Sequence, residues 1–418
     1  MMFKKSKYPG LSLIAIVVLI NSAYLFAGET EGDAKSDNIW ERSTLTGNWG
    51  GIRSSLEEFG IVLEAVYKLE AWKVSSGDVG HGTALVDNVD IVITFDLEKV
   101  LGLAGGSVVF YGLGNNGDDP NAYVGSAHGI TNIAAPQAWK VYNLFYEQVF
   151  FDGDLSLLIG TYDYNSEFDV KETSRFFLNP SHGIGTEIAQ SGENGPSIFP
   201  TASFGFRFKA KPFGDTYIMG VILDGIPGNL NTPKGTHIIL KKEDGILAGF
   251  EAGVETEPAG SEPYTKLGAG FWYYTDNYDH LASNFTNWGA YFLFDRVIFT
   301  EGRGLEQGLS LFGRIGIASD EYNDMDYYIA GGLVYKGLIS GRDDDLFGLA
   351  FASGHNTYMY MQDHPALDIF EHNIECSYRL QISPAVAFQP NIQYIMSPAG
   401  REAYKNVLMI GNRIELAF

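Results

Sequence analysis

Cysteine, basic residues and long apolar runs are all scarce in this sequence, and each shortage excludes a class of protein. Cys376 is the single cysteine among 418 residues, which excludes an internal disulfide and a cysteine-based metal cluster. The chain has 28 basic and 51 acidic residues, and the resulting net charge of −23 would repel a nucleic-acid backbone. Charged residues make up only 19% and aromatic residues reach 14%, which excludes an intrinsically disordered chain.

The longest apolar run lies near the N-terminus, over residues 11–27. It follows Lys4, Lys5 and Lys7, and a polar stretch rich in glycine and glutamate comes directly after it. A basic start, an apolar centre and a polar continuation are typical of a secretory signal peptide, here with cleavage after Ala27. An N-terminal membrane anchor is the alternative. In both cases the sequence predicts an exported protein.

Beyond this leader, the sequence is dominated by an alternation of apolar and polar residues. Near the C-terminus, Ile410 and Ile414 lie on one face of a predicted strand, while Arg413 and Glu415 lie on the other. Strict alternation indicates strands with one apolar and one wet face, as in a soluble sandwich or a membrane barrel. The alternating segments run to roughly 10–13 residues, which matches a tilted membrane strand better than a strand of a sandwich.

About sixteen alternating segments can be counted, and the connections between them differ in length. The predicted strands are 61–73, 87–98, 105–114, 139–151, 153–162, 202–211, 215–224, 245–256, 263–275, 286–298, 307–319, 324–336, 345–356, 368–382, 384–396 and 405–418. Long connections, at 115–138, 163–201 and 225–244, all follow odd-numbered strands. Outer-membrane barrels have short periplasmic turns and long external loops. We therefore predict an all-β fold, a transmembrane antiparallel β-barrel of about 16 strands with both ends in the periplasm.

A short amphipathic helix is predicted before the first strand. Trp49, Ile52, Leu56 and Phe59 recur at helical spacing, and Gly60 can cap the end of the helix. We expect this helix to lie in the periplasm against the mouth of the barrel. The predicted organisation is a signal peptide at 1–27, an N-terminal periplasmic segment at 28–60 and an outer-membrane barrel at 61–418.

Several separated motifs resemble those of the carbohydrate-selective porin family of the OprB type. They are residues 45–53 (LTGNWGGIR), 96–103 (DLEKVLGL), Gly160 with Phe168, 177–179 (FLN), 199–205 (FPTASFG) and 388–400 (FQPNIQYIMSPAG). The last motif is the strongest match, although the family more often has Asn-Pro-Gly-Gly where this chain has Ser397-Pro-Ala-Gly. In addition, Phe418 at the end of an alternating strand looks like the signal that outer-membrane barrels present to their assembly machinery.

The resemblance implies a porin that lets carbohydrates, and monosaccharides in particular, diffuse passively into the periplasm. We expect no enzyme activity, no cofactor and no metal. The expected partners are sugars as transported solutes, outer-membrane lipids and the barrel-assembly machinery. A general diffusion porin and a structural or adhesive surface barrel are the alternatives. The particular sugar, the ion preference and the choice between monomer and trimer stay open.

Sugar recognition in a pore requires polar groups for the hydroxyls and aromatic faces for the rings. The candidates lie on polar faces of the predicted strands or in the longest loop: Glu64, Lys68, Trp72, Arg175, Arg207, Lys209, Trp272, Arg314, Glu375, Arg379, Arg413 and Glu415. The charged candidates could instead pair with one another across the wall. The two tryptophans could instead belong to the aromatic girdle at the membrane interface. The segment 163–201 either folds inward and narrows the pore or forms an external loop.

No catalytic or metal motif is recognisable. None of the eight histidines belongs to a nucleophile motif, and His355 and His364 are expected to be solvated in an external loop. The acidic run 343–345 lacks the spacing of a calcium loop and is expected to be a solvated periplasmic turn. The glycines within 102–106 and 112–117 are expected to lie in turns.

Overall fold

The structure is a computed structural model that describes residues 38–77, 82–229, 231–256, 263–275, 287–301, 307–365, 367–399 and 406–418. The predicted signal peptide, 1–27, lies outside the described residues. Within the described ranges, no helix is both long enough and apolar enough to cross a membrane.

Sixteen β-strands lie within these ranges and form one sheet. They are β1 Ile61–Ser76, β2 Thr83–Asp96, β3 Gly106–Gly117, β4 Ala138–Phe150, β5 Leu155–Tyr162, β6 Ser203–Ala210, β7 Thr216–Asp224, β8 Ile246–Thr256, β9 Thr265–Tyr274, β10 Trp288–Thr300, β11 Gly308–Ala318, β12 Met325–Lys336, β13 Leu346–Asn356, β14 Phe370–Ser383, β15 Val386–Met396 and β16 Asn406–Ala417. Every strand pairs antiparallel with its neighbours in sequence, and β1 pairs with β16. The prediction of a closed barrel is confirmed.

The alternation in the sequence separates the interior of the barrel from its outer surface. In β14, Glu371, Asn373 and Glu375 are buried inside, whereas Phe370 and Ile374 are exposed on the outside. The same division holds around the barrel, where most of the exposed large apolar side chains belong to strands. Apolar residues therefore cover the outside, as in membrane barrels. Polar residues face much of the interior, but the inward row of β7 is apolar and belongs to a buried hydrophobic cluster.

Four of the glycines that were predicted to lie in turns, Gly106, Gly112, Gly114 and Gly117, belong to strand β3 instead. Gly112 and Gly114 lie inside the strand, and Gly114 pairs with Trp139 of β4 on the outer surface. A Cβ atom on Gly114 would lie 2.8 Å from the Trp139 ring. The prediction of a turn was wrong because this glycine makes room for an indole ring that packs flat against the wall.

Five short α-helices accompany the described strands: α1 Ile52–Phe59, α2 Leu97–Leu101, α3 Asn121–Val124, α4 Thr186–Ala189 and α5 Tyr358–Asp363. The first begins three residues later than the helical spacing predicted. Trp49, Gly50 and Gly51 have φ values of 51°, 69° and 101°, which an α-helix does not allow. Gly60, with a φ of 101°, caps the end of α1 as predicted.

The two rims of the barrel differ. We call the rim where β1 begins and β16 ends the near rim, and the opposite one the far rim. Connections at the near rim are mostly short, and the long connections over 118–137, 163–202 and 225–245 start from the far rim. The wall is low beside one of them, since β5 and β6 have eight residues each and β7 has nine.

The acidic run at the near rim differs from the solvated turn that was expected. Asp345 is only 2% exposed, because its carboxylate accepts hydrogen bonds from Arg342, from the Tyr378 hydroxyl at 2.6 Å and from the Gln381 amide at 2.9 Å. The prediction was wrong for this residue, which organises the turn between β12 and β13. Asp343 and Asp344 are exposed, as predicted.

One of the two histidines expected in an external loop is also placed differently. His355 lies in β13, and its Nδ1 is 2.5 Å from Oδ1 of Asp326. His364 follows α5, where its ring packs against Tyr360 with 4.6 Å between centroids. The expectation fails for His355 because this residue lies within the strand, where its ring contacts Asp326 and Tyr327 of β12.

Candidate functional site

The longest connection folds into the barrel and occupies its interior. Residues 163–202, which we call the first inner segment, join β5 to β6. Phe168, Asp169 and Lys171 from this segment are at most 1% exposed. Of the two placements that the sequence allowed, the structure has the inward one.

Arg314 of β11 holds this segment by two carboxylates. Its Nε lies 2.7 Å from Oδ2 of Asp169, and its Nη2 lies 2.5 Å from Oε1 of Glu187. All three side chains are completely buried. The guanidinium also lies about 5 Å from the ring centroids of Tyr291 and Tyr328. Arg314 was predicted to contact sugar, but its donors are taken up by the inner segment.

Glu375 of β14 binds the main chain of the same segment. Its two carboxylate oxygens accept hydrogen bonds from the amides of Leu178 at 2.7 Å and Asn179 at 2.9 Å. The Asn391 side chain donates a third hydrogen bond at 2.5 Å. This second sugar candidate is therefore also an anchor, buried to 0% exposure.

Two further carboxylates act in the same way and were not identified from the sequence. Asp295 of β10 accepts from the Thr173 amide at 2.7 Å, and Glu251 of β8 accepts from the Asp169 amide at 2.8 Å. Both carboxylates are 0% exposed. The available signal was an acidic residue on the inward face of each strand, which does not reveal what it binds.

A second connection also enters the barrel. Residues 118–137, the second inner segment, were expected to form an external loop, and the structure shows that this was wrong. Glu371 of β14 accepts from the amides of Ala127 at 2.9 Å and His128 at 3.3 Å. The Asn132 amide donates to the Leu178 carbonyl at 2.8 Å, so the two inner segments are joined to each other.

Histidines in these segments serve packing. Burial lowers the pKa of His182 to about 3, and burial also lowers the pKa of His128, so both rings are neutral at pH 7. His182 packs against Phe177 and Phe312. Across the described ranges, no group of three or more histidine, cysteine or acidic side chains could hold a metal ion.

Both candidate tryptophans face the interior. Trp72 and Trp272 are 1% and 0% exposed, so a place in a girdle on the outer surface is excluded. Each ring lies over an inward glycine of the neighbouring strand, where a Cβ on Gly411 or Gly289 would come within 2.3 Å of the ring. The Trp72 Nε1 donates to Glu70 at 2.6 Å. Both rings are packed into the wall and present no free face to a sugar.

The three other candidate arginines on the strands pair with carboxylates, as the alternative interpretation allowed. Their buried ion pairs are Arg413 with Glu70, Arg379 with Glu415, and Arg207 with Glu147 and Glu167. Glu167 belongs to the first inner segment, and the 2.7 Å contact with Arg207 is another tie to the wall. Burial raises the pKa of Glu167, but Arg207 and Lys209 outweigh it and lower the pKa to about 2.

Four of the twelve candidates keep accessible side chains inside the barrel. The exposed fractions of the side chains are 28% for Lys209, 18% for Arg175 and 13% for Lys68, and Glu64 is half-buried. Lys68 forms an ion pair with Asp90 at 2.9 Å, yet its side chain stays partly accessible. These residues can still meet a solute.

Two of these residues belong to one region of the lumen, next to β8 and β9. Arg175 lies 3.4 Å from Glu172 in the first inner segment. Lys266 of β9 interacts electrostatically with both, and Glu255 of β8 interacts with Lys266 and Lys209. We call Glu172, Arg175, Lys209 and Glu255 the accessible charged cluster; Lys266, which is only 4% exposed, is the buried cation beside it. The accessible charged cluster offers donors and acceptors of both signs within reach of one another.

Comparisons with known proteins agree with this architecture. A family model described as "Carbohydrate-selective porin, OprB family" matches residues 81–418. Porin B of Pseudomonas aeruginosa is 24% identical, over 90% of this chain and 91% of that protein. The high-pH structure of Pseudomonas putida OprB superposes with a TM-score of 0.78 at 19% identity, covering 90% of this chain and 98% of the other. The channel DcaP of Acinetobacter baumannii reaches a TM-score of 0.53 at 9% identity, over 86% and 97% of the two chains.

Proposed function

Because the chain belongs to the OprB family of carbohydrate-selective porins, we propose that it passes monosaccharides, and excludes larger sugars, by means of the first inner segment. The protein is a channel of the outer membrane and not an enzyme. In the proposed orientation the near rim faces the periplasm, since the short connections lie there.

The observation that carries this proposal is the path of the first inner segment across the lumen. It leaves the wall between β5 and β6, and it is bound to Arg314 of β11 and Glu375 of β14. Strand β14 lies halfway around the barrel from β6. A segment fixed at both sides divides the cross-section, so a solute passes only through what remains beside it.

The accessible charged cluster supports selectivity for sugars. A sugar presents many hydroxyls and no net charge, and neighbouring groups of both signs can donate to and accept from these hydroxyls together. A salt ion meets attraction and repulsion in the same place. The Tyr264 hydroxyl, which donates to Glu255 at 3.0 Å, adds an aromatic ring beside the cluster. We assign solute contact to Arg175, Lys209, Lys68 and Glu64, and anchoring of the first inner segment to Arg207, Arg314 and Glu375.

The test is osmotic swelling of liposomes that contain the purified protein. We expect fast swelling with monosaccharides and slow swelling with disaccharides. The substitutions Arg175→Ala and Lys209→Ala should each lower the monosaccharide rate severalfold relative to that of a salt. Arg296→Ala is the matched control, because Arg296 is exposed on the outer surface of β10.

Each other outcome decides against part of the proposal. Equal rates for monosaccharides, amino acids and salts would make the protein a general diffusion porin. Unchanged selectivity in both lumen variants would show that the accessible charged cluster does not contact the solute. If no solute caused swelling, transport would be rejected, and the alternative of a structural or adhesive barrel would be favoured.

A further inference from the structure

Helix α1 is turned the opposite way from a helix on the surface of a soluble protein. Its apolar residues Ile52 and Phe59, two turns apart on one face, are 59% and 57% exposed. Its basic residue Arg53 is only 6% exposed. Amphipathic helices in water bury the apolar face and expose the charged one. Here Arg53 faces the protein, whereas Ile52 and Phe59 are exposed to the same degree as the two glutamates of the helix, Glu57 and Glu58.

The buried face of α1 is fixed to the end of the barrel's last strand. The Nη2 of Arg53 donates to the carbonyl oxygen of Phe418 at 2.9 Å, and the guanidinium lies 4.7 Å from the centre of the Trp49 ring. Just before the helix, the Leu45 amide donates to the Ala417 carbonyl at 2.8 Å. These contacts set the rotation of the helix, so the outward direction of its apolar face is a result of the fold.

Helix α2 extends the apolar face. It lies beside α1, where Lys99 Nζ donates to the Glu57 carbonyl at 3.3 Å. A Cβ on Gly60 would come within 2.8 Å of Lys99, which shows how closely the two helices approach. From α2 and the residues after it, Leu101 is 72% exposed and Leu103 is 44% exposed.

The surface formed by Ile52, Phe59, Leu101 and Leu103, which we call the rim patch, continues the lipid-facing surface of the barrel. Helix α1 leads directly into β1, and α2 follows β2 without a break. Other turns at the same rim also expose large apolar side chains, with Phe151 at 73% and Phe213 at 80%. The rim patch is therefore one part of an apolar ring at the height where the wall leaves the membrane.

We propose that α1 is an interfacial helix whose rim patch inserts into the adjoining leaflet of phospholipid. Lipid is the occupant because the rim patch is continuous with the surface that already faces lipid, and because a helix with one apolar face lies stably in the plane of a bilayer interface. The opposite face of the same helix binds the end of β16 through Arg53. The helix thereby ties the pair of strands that closes the barrel, β1 and β16, to the membrane surface.

Site-specific fluorescence quenching tests this proposal without reference to sugar transport. In a Cys376→Ser background, the substitutions Ile52→Cys and Phe59→Cys receive an environment-sensitive fluorophore. Glu58→Cys, which is also exposed on α1, is the matched control. The labelled full-length proteins are reconstituted in phosphatidylethanolamine–phosphatidylglycerol liposomes, and their swelling and heat-shifted gel mobility verify that the barrel is intact.

We expect brominated lipid chains to quench the probes at positions 52 and 59 at least threefold more strongly than the probe at position 58. Aqueous iodide should show the reverse order. Equal quenching of all three probes by iodide would overturn the proposal, because the rim patch would then face water. Protection of positions 52 and 59 from both quenchers would also overturn it, because protein would then cover the rim patch.

Discussion

Replacing Arg314 by alanine should weaken the attachment of the first inner segment while the barrel stays closed. The substitution removes the one guanidinium that binds both Asp169 and Glu187, and all three side chains are fully buried. Breaking a buried ion pair by removing one partner costs about 3–5 kcal/mol, because a charge is left uncompensated. Each 1.4 kcal/mol changes an equilibrium constant by a factor of about ten. The fraction of molecules in which the segment is detached from the wall should therefore rise roughly 100- to several-thousand-fold.

The barrel should survive this change because the closing of the sheet does not depend on the Arg314 side chain. The strands β11 and β12 are joined by main-chain hydrogen bonds along ten residue pairs. Single-channel recording should therefore show a larger and noisier conductance, and liposome swelling should become fast with disaccharides. The conductance and the disaccharide swelling rate of Arg314→Lys should lie between those of the wild type and Arg314→Ala. Lysine keeps the positive charge but lacks the planar guanidinium that binds two carboxylates. Arg296→Ala, on the outer surface, should behave as the wild type.

Two results would refute this reasoning. If Arg314→Ala keeps its heat-shifted gel mobility and still excludes disaccharides, the segment is held without this arginine. If the variant loses the heat-shifted mobility altogether, Arg314 supports the wall itself rather than the segment inside it.

Two further predictions concern other parts of the structure. Gly160→Ala should lower the yield of folded barrel in refolding assays, because Gly160 has a φ of 147° and a Cβ would lie 2.2 Å from the Leu144 carbonyl oxygen. The control Gly331→Ala should fold as the wild type, because the nearest atom to a Cβ there is 3.4 Å away. Equal yields for the two variants would contradict the argument. Glu167→Gln should lower the urea midpoint of unfolding by a constant amount above about pH 5. The difference from the wild type should vanish as the pH falls toward 2. The reason is that the pKa of Glu167 is about 2 in the folded protein, so the stabilisation is lost once the carboxylate is protonated. A difference that persists at pH 2 would mean that Glu167 acts by its shape and not by its charge.

The strands could be predicted from the sequence because each one separates two surroundings of different polarity. Ile414 and Arg413 are neighbours in β16, yet one is exposed on the apolar outer surface and the other is buried inside. This contrast repeats in many of the strands and can be seen without knowledge of distant residues, although β7 lacks it because its inward residues are apolar as well. The start of α1 was missed because the apolar spacing continues through Trp49, while positive φ values at Gly50 and Gly51 delay the helix.

The candidate site was harder to predict because its partners are distant in sequence. The inward direction of Arg314 and Glu375 followed from alternation alone. Their partners Asp169 and Leu178 lie 145 and 197 residues away, in a segment without periodicity. An inward polar residue that contacts a solute and one that binds a loop cannot be distinguished in the sequence. Only the fold distinguishes Arg175, which is accessible, from Arg314, which is buried.

The wall carboxylates have a consequence for how such a channel can evolve. Glu251, Asp295 and Glu375 each accept hydrogen bonds from main-chain amides of the first inner segment. Every residue except proline offers that amide, so side chains at many positions of the segment can change without loss of the attachment. Mutation can thus alter which molecules enter the cell while leaving the scaffold intact, and a lineage can acquire new nutrients by substitution within a single loop.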